Sequence, residues 1–449
     1  MTGAVCGALL LRHGDPDGTR YRRALALPNP QHVAWMRHGK GKEPPRTVSA
    51  CGVMDGGPWR GGVWVPRAAP GVQGALRTVA PPAPPVAFLW TLRGYQRAAV
   101  DAVVEAGGGI VQAPCGAGKT VIGCALVARY DTPALVLVHT RDLAGQWVDR
   151  LRDASGIDAG LVGYGKRRKG EAGDDARVVV ASLQTLARWG WWRVHQWGQR
   201  FGLVIADEAH HVPASTWGAV MAGLPARVRV GLTATPERPD GLTPILHWHL
   251  GETVAQIAPA VLEDAGSVLA PAVRTWRAPH VPMDGTESHE RDRALAEHDG
   301  RNGGITTEAR ILVEQGRRVL LLVKLVAHAR ELAARLCAAG CDSVALVGEV
   351  KPRERAAIVE RMRAGSVDVV VATSLADEGL DAPRLDALIM AAPCGNLGRV
   401  EQRIGRVCRP HEDGQAPIVV DVVDSWGPFQ GYARRRARLY RERGWRVLG

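Results

Sequence analysis

The sequence has no long apolar run, no paired-cysteine motif and few lysines. No apolar run reaches the ~18 residues of a membrane-spanning helix, and the apolar start at residues 8–11 is too short for a secretion signal. The eight cysteines are scattered, without a C-x-x-C pair or a histidine partner at zinc-binding spacing. We therefore expect a soluble, cytoplasmic protein with reduced cysteines and no membrane association.

Lysine is scarce, and arginine carries nearly all of the positive charge. Of the 57 lysine and arginine residues only seven are lysines, and the formal net charge is +12. A basic balance favours a polyanionic partner such as nucleic acid, although it identifies no binding site. With 449 residues and 46% hydrophobic content, the chain is long enough for about three globular domains.

A glycine-rich turn between an apolar run and a helical pattern is typical of a phosphate-binding loop. The apolar residues 110–111 lead into the turn, which ends in Gly-Lys-Thr, and apolar residues then recur at helical spacing. In such a loop, backbone N–H groups and the start of the helix bind a triphosphate. Lys119 is expected to contact the β- and γ-phosphates, and Thr120 to bind Mg²⁺. The nucleotide-binding residues predicted here are Pro114, Cys115, Gly116, Ala117, Gly118, Lys119 and Thr120.

The first glycine of the usual G-x-x-x-x-G-K-[ST] pattern is replaced by Ala113, so this loop alone is an imperfect match. A second apolar run, residues 203–206, ends in two carboxylates. Asp207 is placed to hold the magnesium shell, and Glu208 to orient or deprotonate an attacking water. The two segments together predict an enzyme that hydrolyses ATP with Mg²⁺.

Residues 113–120 and 207–210 resemble motifs I and II of the superfamily 2 helicases and translocases. The similarity continues in family order over about residues 90–445. The resemblance implies an α/β fold with two tandem RecA-like (P-loop NTPase) domains. It also implies a nucleic-acid motor, in which ATP binding and hydrolysis close and reopen the two domains on a strand.

Composition and resemblance together predict the domain boundaries. Residues 1–79 do not fit the motor pattern, and their short apolar runs predict a small, strand-rich accessory domain. Its tryptophans near basic residues, such as Trp64, either stack on nucleic acid or belong to its core. The remaining predicted segments are a Pro-rich linker (80–87), a first RecA-like domain (88–260), an interdomain crossover (261–304) and a second RecA-like domain (305–449). The last ends in a basic helix, which either adds to a nucleic-acid surface or is solvated.

Two more segments resemble family motifs that act on the nucleotide. Gln96, with Arg93 nearby, lies in a segment similar to the adenine-recognising Q motif, although the same segment also fits an ordinary helix start. Residues 373–381 resemble motif V, which implies that Gly379 and Asp381 face the nucleotide.

The segment at residues 402–410 resembles motif VI. Arg406 and Arg409 are three residues apart, so we expect them on one helical face, where the resemblance implies arginine fingers. Gln402, on the same face, is expected to position water.

Other strand ends carry residues that the resemblance assigns to nucleic acid. Parallel strands bring their carboxyl ends to one edge of a sheet, and ligands bind at that edge. Residues 139–141 and 182–185 resemble motifs Ia and Ib, which hold a phosphate backbone, although hydroxyl groups at sheet edges also serve as helix caps. The predicted nucleic-acid contacts are Thr140, Arg141, Gln184, Thr185, Lys324 and Thr373.

DNA is the favoured substrate over RNA. Gln402 at the start of motif VI, His210 in motif II and the segment at residues 231–242 look like the DNA repair, phage recombination and restriction-motor branch of the family. We expect an ATP-dependent DNA helicase or translocase. The alternatives are a motor subunit that acts only with protein partners in a restriction or phage-defence complex, and an RNA helicase.

Overall fold

The structure is a computed structural model that describes residues 8–11, 14–38, 43–56, 60–61, 63–70, 72, 78–164, 176–208, 214–234, 241–283, 287–373, 384–410 and 415–448. The side chains of residues 34, 35, 37, 38, 214, 215 and 352 also lie outside the described part. The chain divides into two compact units, unit 1 (residues 1–258) and unit 2 (residues 259–449). No described helix is long and apolar enough to span a bilayer.

Unit 1 alternates strands and helices in the order expected for a parallel α/β fold. Its described strands are β1 (Ala8–Leu11), β2 (Ala26–Pro28), β3 (Thr47–Ser49), β4 (Gly52–Val53), β5 (Val63–Pro66), β6 (Gly109–Gln112), β7 (Ala134–Val138), β8 (Gly160–Val162), β9 (Val178–Ser182), β10 (Leu203–Asp207), β11 (Val228–Thr233) and β12 (Thr253–Gln256). Its described helices are α1 (Pro16–Ala24), α2 (Pro30–His38), α3 (Gly94–Ala106), α4 (Lys119–Arg129), α5 (Arg141–Ser155), α6 (Leu183–Trp189), α7 (Trp191–Gly198), α8 (Ala214–Gly223) and α9 (Thr243–Leu250).

The main sheet of unit 1 has seven parallel strands in the order β12-β6-β11-β10-β7-β9-β8. Strands β7, β9, β10 and β11 are buried along their whole length, as the continuous Val, Leu and Ile runs require when helices cover both faces. Strands β6, β11 and β10 are neighbours, so the loops that follow them meet at one edge. This confirms the predicted α/β class for unit 1.

The N-terminal segment forms small sheets that share a core with the main sheet. Strands β1, β5 and β4 pair antiparallel, and β2 pairs with β3. Leu9 and Val65 belong to the same buried cluster as Trp217 of α8. Asp55 accepts hydrogen bonds from the first two backbone N–H groups of α7, at 3.1 and 3.2 Å. The segment is therefore built into unit 1.

Trp64 is 5% exposed, and a side chain at Gly52 would lie 2.4 Å from its ring. The sequence left open whether Trp64 stacks on nucleic acid or packs in the core. The structure supports core packing. Trp59 and the side chain of Trp35 lie outside the described residues. The Pro-rich segment 80–87 has no regular secondary structure, but hydrogen bonds join it to the rest of unit 1. The Ala83 N–H donates to the backbone carbonyl of Asp131, and Thr132 Oγ1 donates to the Pro81 carbonyl.

Unit 2 is a second parallel α/β sheet, with strands in the order β15-β16-β14-β17-β18-β13-β19. Its described strands are β13 (Ala272–Arg277), β14 (Val319–Val323), β15 (Ser343–Leu346), β16 (Val369–Thr373), β17 (Ala387–Met390), β18 (Ile418–Val423) and β19 (Arg446–Leu448). Its described helices are α10 (Pro259–Asp264), α11 (Ser288–Glu297), α12 (Asp299–Glu314), α13 (Val326–Ala338), α14 (Pro352–Arg363), α15 (Leu397–Val407) and α16 (Gly427–Glu442). Alternate residues of β14 enter two different buried clusters, so helices cover both faces here too.

The structure differs from the expectation at residues 261–304, which were predicted to be an interdomain crossover. They contain β13, which pairs with β18 and β19 inside the sheet of unit 2, together with α11 and the start of α12. The segment is rich in Pro, Gly and charge and has little periodicity, which predicted a crossover, but Gly304 lies within α12, where a side chain would meet the ring of Trp276 at 2.2 Å. Glycine is needed at that position because it lets the helix approach β13.

Unit 2 contains a buried ion pair between the basic helix α16 and strand β18. Arg436 donates to Asp421 at 2.7 Å, both side chains are 3% exposed, and the Tyr440 hydroxyl donates to the same carboxylate at 2.9 Å. Most of the arginines around Arg436 are exposed, which fits both alternatives that the sequence left open for this helix, a nucleic-acid surface and a solvated face.

We predict that Asp421→Asn lowers the free energy of unfolding of unit 2 by about 3 kcal/mol, because it leaves the guanidinium of Arg436 buried without its counter-charge. Urea denaturation measures the change. Glu442→Gln is the matched control, since it removes an exposed partner from Arg438 on the same helix and should cost less than about 1 kcal/mol. Equal costs for the two variants would contradict the assignment.

His328 in α13 is buried, and its Nε2–H donates to Asn302 Oδ1 at 2.9 Å. Burial and the nearby charges of Arg301 and Arg335 lower the pKa of His328 to about 4. The folded state therefore binds this proton more weakly than the unfolded state, so the contribution to stability is present above pH ~6.5 and is lost as the pH falls toward 4.

Between pH 7 and pH 5 the free energy of unfolding of unit 2 falls as His328 takes up a proton. We predict that this fall is about 2 kcal/mol smaller in His328→Gln, because glutamine does not titrate. Denaturant unfolding at the two pH values measures the difference. If the variant and the wild type lost the same amount, a charged His328 would be tolerated in the fold.

Candidate nucleotide and nucleic-acid site

The phosphate-binding loop lies between β6 and α4, at the carboxyl edge of the sheet in unit 1. Gly116 and Gly118 have φ values of 86° and 77°, a left-handed conformation that glycine adopts without strain. Ala113, which replaces the first glycine of the motif, is buried and is not among the described residues with positive φ, and its N–H donates to the Thr233 carbonyl at 2.8 Å. An alanine at this position is therefore compatible with the loop.

Gln96 contacts the phosphate-binding loop through a buried hydrogen bond. It is 4% exposed, and its Nε2 donates to the carbonyl of Ala117 at 3.0 Å, inside the loop. Its Oε1 accepts from the backbone N–H of Arg93 at 3.0 Å, which completes a capping box at the start of α3. Gln96 thus lies at the helix start, one of the two alternatives that the sequence left open, and it also contacts the phosphate loop. The other alternative, a contact with adenine, stays a prediction.

The two carboxylates at the end of β10, Asp207 and Glu208, lie next to the loop lysine. Lys119 Nζ is 3.0 Å from Glu208 Oε1 and 3.3 Å from the Ala113 carbonyl oxygen. Glu208 has a φ of 49°, the only positive value among the described residues other than glycine, and its N–H donates to the Leu232 carbonyl at 2.9 Å. Strained backbone of this kind is concentrated at functional sites.

Burial and opposing charges set the pKa values here. Burial, and next the charge of Glu208, raise the pKa of Asp207 to about 6, while the hydrogen bond from Trp147 acts in the opposite direction. Burial alone would lower the pKa of Lys119, but the negative charges around it, chiefly that of Glu208, raise it above its usual value. Lys119 is therefore a permanent cation in this site.

The residues present fit a magnesium ion that is shared with a nucleotide. Asp207 Oδ1 is buried and has no hydrogen-bond partner in the described part of the chain, so it retains the capacity to bind a cation. Among the described residues, no three His, Cys, Asp or Glu side chains are grouped to hold a metal by themselves. Magnesium is commonly held by one or two protein oxygens together with substrate phosphates. Asp207 and the Thr120 hydroxyl would provide the protein oxygens.

Motifs Ia and Ib meet at the carboxyl ends of the neighbouring strands β7 and β9. Thr140 caps α5 by accepting from the Leu143 N–H at 3.3 Å, and Arg141 begins that helix with an exposed side chain. Gln184 connects the two segments, since its Nε2 donates to the His139 carbonyl at 3.2 Å. Thr185 packs closely against Gly163. All four residues predicted here for nucleic acid therefore lie along one edge of unit 1.

In unit 2, Lys324 and Thr373 lie at the carboxyl ends of the paired strands β14 and β16. Lys324 forms an ion pair with Asp292 of α11, an interaction that the sequence did not predict. Thr373 is 2% exposed, and its hydroxyl has no hydrogen-bond partner among the described residues. Gly379 and Asp381 lie outside the described residues.

The helix at motif VI is shorter than predicted. Helix α15 ends at Val407, so Gln402 and Arg406 lie on it one turn apart, whereas Arg409 lies beyond its end. The expectation that Arg406 and Arg409 share a helical face is therefore wrong. Pro410 explains the difference, because it disfavours helical backbone at the residue before it.

Sequence reasoning missed Trp147, a fully buried residue of α5. Its indole Nε1 donates to Asp207 Oδ2 at 2.8 Å. In the sequence it belongs to an apolar helical stripe with Ala144 and Leu151, which predicts only core packing. Pairing with a carboxylate 60 residues away has no local signal.

The fold and site define a P-loop ATPase with two α/β units, and comparisons with known proteins give its family. Residues 89–238 match the family described as type III restriction enzyme, res subunit, and residues 305–411 match the helicase conserved C-terminal domain.

Two relatives and one solved structure extend the likeness to most of the chain. It is 27% identical over 343 residues to the probable helicase D10 of Escherichia phage T5, covering 76% of this chain and 73% of that protein. It is 30% identical over 373 residues to the DNA 3'-5' helicase XPB of Kineococcus radiotolerans, covering 79% of this chain and 64% of that protein. The structure of Saccharomyces cerevisiae Dbp5 bound to RNA and ADP BeF3 has a TM-score of 0.60 at 14% identity, over 80% of this chain and 90% of that one.

The chain belongs to the superfamily 2 helicases, and its two units have the RecA-like fold. The likeness to Dbp5 shows the fold alone. The chain spans 64% of the length of the XPB relative.

We predict that Gln96→Ala weakens binding of ADP and of GDP by a similar factor, about tenfold, because loss of the bond to Ala117 loosens the phosphate loop. Fluorescence titration with the two nucleotides measures it. Glu105→Gln, an exposed change on the same helix α3, is the control. A loss confined to ADP would show that Gln96 acts on the adenine and not on the loop.

Proposed function

We propose that this protein is an ATP-dependent DNA helicase or translocase. One observation carries the proposal: the loop lysine, a buried aspartate and a strained glutamate meet at the carboxyl edge of a parallel sheet, with Lys119 3.0 Å from Glu208. The same edge carries Arg141 and Gln184 at the ends of neighbouring strands. These positions support a proposed hydrolysis site and proposed nucleic-acid contacts on one sheet.

Hydrolysis follows from the change of partners that a bound nucleotide imposes. The γ-phosphate of ATP would replace the carboxylate of Glu208 as the partner of Lys119, and Glu208 would then orient the attacking water and accept its proton. Mg²⁺, held by Thr120 and Asp207, would supply charge neutralisation at the phosphates. Lys119 and the loop N–H groups would stabilise the charge that develops on the γ-phosphoryl oxygens.

We assign Arg406 and Arg409 to the same hydrolysis step as arginine fingers and Gln402 to the positioning of water. Their sequence motif supports this assignment, and it does not require the two arginines to share a helix. Gly379 and Asp381 remain predicted nucleotide contacts on the same basis.

DNA is the proposed track, and movement from 3' to 5' is the proposed direction. The name of the relative from Kineococcus radiotolerans, DNA 3'-5' helicase XPB, supports both points. The alternative, a motor that requires partner proteins in a restriction or defence complex, is supported by the family match over residues 89–238. The proposed location is the cytoplasm, which suits the free cysteines found among the described residues.

We predict that Glu208→Gln abolishes ATP-driven displacement of a strand from a 3'-tailed DNA duplex and lowers ATP hydrolysis by at least about 100-fold, because the amide cannot accept the proton of water. ATP binding should persist, since the phosphate loop is intact. Gel assays and phosphate release measure the two activities, with Glu105→Gln as the control. Hydrolysis at the wild-type rate would show that Glu208 is not the group that activates water.

A further inference from the structure

We infer that Trp147 is a positioning residue for the magnesium site: its indole orients Asp207 and fixes the distance between Asp207 and the helix that carries Thr120. The inference rests on the proposed function, in which Thr120 and Asp207 hold Mg²⁺ beside the nucleotide. No sequence motif pointed to this residue.

The first contact sets the orientation of the carboxylate. The Trp147 Nε1–H donates to Asp207 Oδ2 at 2.8 Å, and Trp147 is 0% exposed. The other oxygen, Oδ1, is buried without a hydrogen-bond partner among the described residues. A carboxylate with one oxygen held by a donor and the other unpaired cannot rotate without losing the hydrogen bond. Oδ1 is therefore the oxygen that is left for the metal.

The second contact sets the distance to the phosphate loop. The far edge of the same indole packs against Gly123 of α4, where an added Cβ would lie 2.2 Å from the Cη2 atom of Trp147. Real Cβ atoms essentially never come so close to another atom, so α4 reaches this position only because residue 123 has no side chain. Gly123 is one turn after Thr120, in the helix that begins with Lys119. One rigid aromatic side chain thus spans from the helix of one proposed metal ligand to the other ligand.

The place of the indole is itself fixed by its helix. Helix α5 buries Ala144, Trp147, Leu151 and Ala154 along one stripe against unit 1, and Thr140 caps its first turn. The ring therefore lies between Gly123 of α4 and Asp207 of β10, and a shift of the ring would change one of these two contacts. Interactions that orient the ligands of a metal typically contribute about 10- to 100-fold to its affinity.

Trp147→Phe tests the inference, because it keeps an aromatic ring in the pocket and removes the N–H. Mn²⁺ serves as a Mg²⁺ substitute whose binding to the full-length chain with ADP is followed by electron paramagnetic resonance. We expect Mn²⁺ affinity to fall about tenfold, while ADP affinity measured in EDTA stays within about twofold of wild type. Binding, and not turnover, is the readout.

Trp217→Phe is the matched control. Trp217 is 2% exposed, lies in α8 of the same unit, and its indole N–H has no partner among the described residues. The same truncation there removes a buried indole without affecting a carboxylate, so Mn²⁺ affinity should be unchanged. Unchanged affinity in Trp147→Phe, or an equal loss in both variants, would overturn the inference while leaving the proposed function intact. Absence of ADP-dependent Mn²⁺ binding in the wild type would overturn both.

A second pair of variants keeps the test open if Trp147→Phe does not fold. Gly123→Ala displaces the ring without changing the indole, whereas Gly145→Ala adds the same methyl group to α5 at a position with no atom within 4 Å. We expect Gly123→Ala to weaken Mn²⁺ binding and Gly145→Ala to have no effect. Equal Mn²⁺ affinities in these two variants would also overturn the inference.

Discussion

The ion pair between Lys119 and Glu208, next to the buried Asp207, is the interaction on which the site in unit 1 depends. Two carboxylates and one ammonium group lie together where little water reaches them. The two negative charges disfavour each other, and the ammonium group of Lys119 is what stabilises both. A nucleotide triphosphate and its cation would bring opposite charges of their own into this arrangement. Binding would then free Glu208 from the lysine, and the carboxylate proposed to activate water would be available only when substrate is present.

The parallel sheet explains why distant segments meet at this place. Strands β6, β11 and β10 lie side by side in the sheet. The phosphate loop, the two carboxylates and Thr233 are at the carboxyl ends of these strands, so they meet at one edge of the sheet. Strands β7 and β9 continue the same sheet and bring Arg141 and Gln184 to the same edge. The N-terminal segment packs onto the same unit, because its buried residues belong to one cluster with residues of helix α8.

Patterns that act locally were predictable from the sequence, and pairings across the fold were not. Apolar runs that end in Lys, Asp or Thr predicted the strands and the residues at their ends, since parallel strands must place their carboxyl ends together. Residues 261–304 were predicted to be a crossover because they are rich in Pro, Gly and charge, whereas β13 pairs inside the sheet and Gly304 lets α12 approach Trp276. Arg409 was placed on a helix that Pro410 ends early. The hydrogen bond from Trp147 to Asp207 and the ion pair of Lys324 with Asp292 join separate elements, and only the fold brings them together.

Steady-state ATP hydrolysis by the purified chain, measured with single-stranded DNA, duplex DNA, branched DNA and RNA in turn, tests the proposed motor most directly. We expect at least one DNA form to stimulate hydrolysis strongly, and the stimulation to fall steeply with added salt, because the contacts are chiefly to phosphates. Stimulation by RNA alone would contradict the choice of DNA. Stimulation by none of them would contradict an autonomous motor and favour a subunit that needs a partner.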